Sequence, residues 1–144
     1  MKAVVLHKTG GVEGLRYETV PDPEIRDDDV LVRIRACGVC YRDLLDRRGK
    51  FPFIQLPIIT GHEFSGEVVK VGKNAGEWSP GDRVVNLHRN PCGFCGPCST
   101  GDEIHCEHGF AHFGLTWPGG YAEYVAAPKT SLVRLPASIP FTDG

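Results

Sequence analysis

The stretch GHEFSGEVVKVG, Gly61 to Gly72, reads as a buried strand that opens on a histidine and a glutamate. Two explanations fit the local pattern. His62 and Glu63 can be a strand terminus whose side chains reach solvent, or they can be metal ligands or acid-base groups, since imidazole and carboxylate both suit zinc. Gly61, Gly66 and Gly72 mark places where the backbone turns sharply or passes close to something else, which favours a built site over a frayed end. The rest of the chain has to decide between them.

At 144 residues, 41% of them hydrophobic and 24% charged, the chain is long enough for one domain and its core. A net charge of -2 gives no electrostatic footprint for nucleic acid, and none is expected as a partner. Arg42, Arg47, Arg48 and Lys50 alternate with Asp43 and Asp46, a pattern expected of a solvated helix face. The amino terminus, MKAVVLHKTGG, holds too short an apolar run for a signal peptide or a membrane span, so a cytoplasmic protein is expected.

Strands dominate the pattern. KAVVLH, LRYETV, VLVRIRAC, EFSGEVVKV, DRVVNL, YAEYVAA and LVRLP are β-branched or alternating, and each is bounded by Gly, Pro, Asn or Asp. Eighteen glycines and eleven prolines supply the corners. The one helical segment is CYRDLLDRRG, where Leu44 and Leu45 share a face with Tyr41 and Gly49 can close the end in the left-handed conformation. The expected fold is mainly β: a closed or partly closed antiparallel barrel with short helices and loop insertions.

Cysteine spacing carries the strongest chemical signal. Four of the six cysteines lie in PCGFCGPCSTGDEIHC, as Cys92, Cys95, Cys98 and Cys106. In a reducing compartment such crowding points to a metal site, because two-residue spacings let successive sulfurs converge on one ion. Four thiolates make a closed zinc site with no position left for substrate, so its role is structural. It would pin the lobe at residues 91–107, which has too few apolar side chains to order itself. An iron-sulfur cluster also takes four thiolates, but Glu107 stands where a proline commonly follows the fourth cysteine of such clusters. His105 and His108 are placed at the lobe surface.

Cys37 and Cys40 remain, in CGVCYRD. They can be a redox pair, or Cys40 can contribute one metal ligand from the amino end of the short helix, where the helix dipole favours a thiolate. In the second case Cys40, His62 and Glu63 form an incomplete coordination set with an open position, as a catalytic zinc requires.

CGVCYRD, GHEFSGEVVKVGKNA, PGDRV, the four-cysteine lobe and GGYAEYV, in this order, resemble the amino-terminal GroES-like catalytic domain of the zinc-containing medium-chain dehydrogenase/reductases. The resemblance spans residues 1–144 and implies a strand-rich barrel followed in the family by a Rossmann domain that binds NAD(P). That domain is not expected here, since no G-x-G-x-x-G follows a strand. The chain is therefore expected to be part of a larger oxidoreductase and inactive alone. The resemblance implies that Cys40 and His62 hold a catalytic Zn2+, that Glu63 is a close, exchangeable ligand, and that Asp43 orients His62. It implies that Cys92, Cys95, Cys98 and Cys106 hold the structural zinc, and that the parent is a homo-oligomer acting on a small-molecule alcohol, aldehyde or enoyl substrate.

Two positions depart from alcohol dehydrogenases of this family. Arg42 stands where a Ser or Thr hydroxyl usually relays a proton, and Tyr41 where a basic residue or His is common. A guanidinium stays protonated and cannot replace the hydroxyl, but it can hold an anion. CYRDLL is similar to enoyl- or acryloyl-CoA reductase-like members of the family. Zinc-dependent alcohol dehydrogenase or carbonyl reductase chemistry is ranked first and such an NADPH-dependent reductase second. A reductase whose second site holds no metal and a non-catalytic zinc-stabilised binding module are the remaining alternatives.

Overall fold

The computed structural model of the chain describes residues 1–108 and 111–144. The strands are β1 (Lys2–Leu6), β2 (Leu15–Thr19), β3 (Asp29–Cys37), β4 (Ile58–Ile59), β5 (Phe64–Val71), β6 (Arg83–Asn86), β7 (Arg89–Asn90), β8 (Ala111–His112), β9 (Tyr124–Pro128) and β10 (Leu132–Arg134). Two helices, α1 (Tyr41–Arg47) and α2 (Gly96–Ser99), and several single 3-10 turns complete the described residues. All strand pairs are antiparallel, in sheets ordered β10-β6-β5-β3-β9, β2-β1-β4 and β7-β8.

A seam joins the two larger sheets. Ala3 bridges Ala122, Val4 N–H donates to Tyr121 O at 2.8 Å, and Tyr121 N–H donates to Thr60 O at 2.9 Å. The result is a curled, partly closed antiparallel barrel, as the alternating short strands and frequent corners predict. Alternation sets what it encloses. Val30 and Val32 of β3, Phe64 and Val68 of β5, Val84 of β6 and Val125 of β9 turn inward and pack with Trp78, Phe113 and Leu132. Each such side chain contributes about 1.5–3 kcal/mol on burial. Phe64 and Phe113 meet edge to face, with centroids 5.1 Å apart.

The core also fixes the start of β5. A side chain at Gly66 would place its Cβ 2.2 Å from Arg33 O, so only glycine lets β5 lie this close to β3. Gly61 has φ +91°, and a Cβ there would meet the Tyr121 ring at 2.8 Å. Between these two constraints His62 and Glu63 have one backbone course open to them. The register shift in β3 between Ile34 and Ala36 breaks the ladder just before Cys37 and re-aims the chain toward Cys40.

Helix α1 corrects one expectation. Gly49 closes it with φ +72°, as predicted, and Arg48 and Lys50 are exposed as expected, but Arg42, Asp43 and Asp46 are not part of a solvated face. Asp46 is fully buried, and the side chains of Asp43 and Arg42 are 11% and 16% exposed. Tyr41 and Leu44, the expected apolar face, are exposed instead. Polar partners outweigh propensity here: His62 and Tyr121 face Asp43, while Arg42 donates both to the Phe113 carbonyl and to Asp46, and a paired carboxylate can be buried where an unpaired one cannot. Among the described residues no helix is long and apolar enough to cross a membrane.

Candidate metal centres

The cysteine lobe is built on tight turns. Cys95 is the N-cap of α2, Pro97 sits in its first turn, and Cys98 is buried within it. A short 3-10 turn over Glu103–His105 then returns the chain to Cys106. The outcome is four sulfurs, from Cys92, Cys95, Cys98 and Cys106, all within 4.8 Å of one another. Cys92 Sγ and Cys98 Sγ are 3.8 Å apart. A tetrahedron with zinc-sulfur bonds of about 2.3 Å has edges of about 3.8 Å, so the spacing fits zinc. Amide N–H groups already point at the sulfurs: Cys95 donates to Cys92 Sγ and Cys92 to Cys106 Sγ, each at 3.4 Å.

The same polarity separates the thiols. Backbone N–H groups, that of Cys98 foremost, lower the Cys95 pKa to about 6, while burial and the neighbouring sulfurs push Cys98 up to about 12. One proton leaves easily and the next is held, as expected when several thiols share a site. His105 lies at the surface, 2.8 Å from Asp102 Oδ1, and the His108 ring lies 5.0 Å from that of Phe94. Neither belongs to the sulfur cluster.

The second constellation joins the end of β3, α1 and the start of β5. Donor atoms of Cys40, His62 and Glu63 lie within 4.8 Å of one another, with His62 Nε2 3.8 Å from Glu63 Oε1. One thiol, one imidazole and one carboxylate make a donor set suited to zinc, and these residues line an open cleft of about 460 Å³. Cys37 is not one of this set. Burial pushes its thiol up to about 12, which disfavours the thiolate that a redox pair needs.

A polar layer lies behind His62. Asp43 Oδ2 accepts from the Cys40 amide and from the Tyr121 hydroxyl, both at 2.8 Å. Asp43 Oδ1 is 3.3 Å from His62 Nδ1, too poorly aligned for a full hydrogen bond, and neither atom has another partner. Burial pushes the Asp43 carboxyl up, but His62, the Cys40 amide and Tyr121 together outweigh it and hold it below its ordinary value. Burial, and after it the same carboxylate, raises the pKa of the Tyr121 phenol. This contact turns Nε2 of His62 toward Cys40 and Glu63.

Two members of this layer were not legible from sequence. Asn86 of β6 accepts from Phe64 N–H at 2.6 Å and donates to His62 O at 2.9 Å, clamping the backbone on both sides of Glu63. A lone Asn in a strand carries no signal of this. Tyr121 stands in GGYAEYV, where the paired glycines mark a close approach that only the fold explains. Arg42 is committed as well: Nε contacts Asp46 Oδ2 at 3.2 Å and Nη2 donates to Phe113 O at 2.5 Å.

The sequence matches the model of the alcohol dehydrogenase GroES-like domain over residues 26–137. Acryloyl-coenzyme A reductase of Sulfurisphaera tokodaii is 37% identical over 140 residues, which are 97% of this chain and 41% of the relative. The crystal structure of AibC superimposes with a TM-score of 0.95 at 44% identity, covering 99% of this chain and 40% of that one. An NAD-dependent alcohol dehydrogenase structure gives a TM-score of 0.90 at 34% identity, covering 98% and 41%. The chain thus spans about two fifths of the length of the relatives it matches. With most of the chain matched and the curled barrel shared, this protein belongs to the alcohol dehydrogenase GroES-like domain family.

Proposed function

We propose that the chain is the metal-binding half of a zinc-dependent, NAD(P)-linked oxidoreductase that moves a hydride between a nicotinamide and a small carbonyl or alcohol. The observation that carries this is the pairing of two unlike centres: a closed set of four thiols and, apart from it, a three-residue set on an open cleft. Closed sets hold folds, and open ones do chemistry. Cys92, Cys95, Cys98 and Cys106 would hold the first zinc, and Cys40 and His62, with Glu63 close by, the second. A zinc bound in the cleft supplies Lewis-acid polarisation of a substrate oxygen.

The chain's own residues then have defined roles. Asp43 faces Nδ1 of His62 and favours the tautomer with its proton there, which leaves Nε2 free to ligate; Tyr121 and the Cys40 amide hold Asp43 in place. Asn86 fixes the backbone that carries His62 and Glu63. The nicotinamide would come from a Rossmann domain such as the family carries. Thiols of this kind read best in the reducing cytoplasm, and assembly into a homo-oligomer is part of the same proposal.

Reduction of a double bond conjugated to a thioester is a second reading of the same cleft. It is favoured by Arg42 in place of a hydroxyl relay and by the acryloyl-coenzyme A reductase among the relatives. A polypeptide joining this chain to a nicotinamide-binding domain tests both. It is expected to oxidise alcohols or reduce aldehydes or enoyl thioesters with NAD(P), whereas the 144 residues alone turn over none. Turnover by these residues alone, after repurification, would overturn the division of labour. No turnover by the joined polypeptide would leave a zinc-stabilised binding module.

A further inference from the structure

The cleft contains a polar side chain to which neither reading gives a role. Of the groups that line it, Cys40, His62 and Glu63 form the donor set. Both amide atoms of Asn86 are spent on backbone, and the Arg42 guanidinium is tied to Asp46 and Phe113 O. His88 remains. It also lines a second groove with Arg89, Pro91 and Glu103, so its ring stands on a wall shared between the cleft and the lobe side.

One contact defines its chemistry. Arg89 Nε meets His88 Nε2 at 3.1 Å. A guanidinium can only donate, so the ring nitrogen that it meets carries a lone pair, and the one proton of a neutral imidazole is on the other nitrogen. No side chain among the described residues takes up that other nitrogen. His88 is exposed on its outer side, and its surroundings only lower its pKa: the covered part of the ring acts most, then the charges of Arg89, Arg42 and His62, with Glu63 acting in the opposite direction; the Arg89 contact is what places the lone pair. His112 of β8 and Glu103 of the lobe complete its surroundings, and His112 is itself lowered by burial and by Arg42 and Arg89.

We propose that His88 is a catalytic hydrogen-bond donor that presents the N–H of a neutral imidazole to the substrate's carbonyl oxygen. The inference rests on reading the cleft as a hydride-transfer site. In that reaction the two electrons of the hydride pass from reduced nicotinamide to carbon, the carbonyl π pair moves onto oxygen, and solvent supplies the proton that completes the product. His88 keeps its own proton throughout and stabilises the oxygen as charge develops on it. A neutral donor recognises an acceptor, so the substrate class is an aldehyde, ketone or thioester carbonyl, in either its simple or its conjugated form.

Imidazole nitrogen NMR of the zinc-loaded chain tests the resting state without any turnover. At pH 7, His88 is expected to show one bare and one protonated nitrogen, with the proton on Nδ1, and Arg89→Met is expected to weaken that preference. An imidazolium at pH 7, or a proton settled on Nε2, would overturn the proposal. In the polypeptide joined to a nicotinamide-binding domain, His88→Phe is expected to lower kcat about 10- to 100-fold with little change in KM and unchanged zinc content. His88→Gln, which keeps an N–H donor, is expected to recover most of that loss. Wild-type turnover that persists undiminished in His88→Phe would sink this inference alone. Absence of wild-type turnover would sink the hydride-transfer reading, and this inference with it.

Discussion

Replacing Asp46 with Leu removes the fully buried partner of Arg42 and leaves the guanidinium with the Phe113 carbonyl as its only named acceptor. Two charges 3.2 Å apart attract by about 5 kcal/mol at an effective dielectric near 20. Breaking a buried pair by deleting one partner costs about 3–5 kcal/mol. Arg42 is 16% exposed and borders the cleft, so it can swing toward water and recover part of this, which brings the expected loss to about 2–4 kcal/mol. A domain of this length has about 7–20 kcal/mol in hand, so the variant still folds. Urea unfolding of the zinc-saturated protein measures the loss, and a cycle with Arg42→Met measures the coupling. The double variant is expected to lose less than Asp46→Leu alone, since no unpaired buried charge remains. A coupling below about 0.5 kcal/mol would refute the view that α1 is held to the barrel by this pair.

Asn86→Val orphans the Phe64 amide and the His62 carbonyl together; it is expected to cost about 2–4 kcal/mol and to weaken zinc at Cys40 and His62 while sparing the lobe, as chelator competition would show. An unchanged affinity at the cleft would mean that the clamp is only structural. Asp43→Asn tests linkage. The folded pKa of Asp43 lies below its ordinary 3.8, so the wild type gains stability above that pH and loses it as pH falls through the folded value. The variant is expected to have the flatter acid limb in unfolding experiments, and an identical slope would refute the assignment. The neighbouring Asp46, raised chiefly by burial, works in the opposite sense: its contribution is present at low pH and is lost as pH rises through its folded value.

What could be read from the sequence was whatever repeats or clusters along the chain. Period-two alternation in β3 and β5 and the glycines around His62 were enough for a curled antiparallel barrel, because register follows from which face is apolar. Clustered cysteines at two-residue spacings likewise announce a sulfur site locally. The layer behind His62 was legible only in part: a family resemblance marked Asp43, but Asn86 and Tyr121 come from distant strands and touch the site only once the sheets close. The inward turn of α1 was misread for the same reason. Charge alternation on a short helix signals solvent unless one knows that His62 faces Asp43 and that the Phe113 carbonyl accepts from Arg42.

Zinc content resolved by site tests the account most directly. The purified chain is expected to hold close to one tightly bound zinc in the lobe, with an apparent binding free energy on the order of 10–16 kcal/mol, and a second, exchangeable ion at the open set of Cys40, His62 and Glu63. Cys95→Ser should release the tight zinc and unfold the lobe, since the remaining thiolates cannot offset the entropy of ordering a glycine-rich loop. His62→Ala should leave both the fold and the tight zinc in place. Elemental analysis of the three proteins after dialysis against a chelator separates the cases: one zinc retained in the wild type and in His62→Ala and none in Cys95→Ser is the predicted result, and a tight zinc that leaves with His62 but survives Cys95→Ser would contradict it.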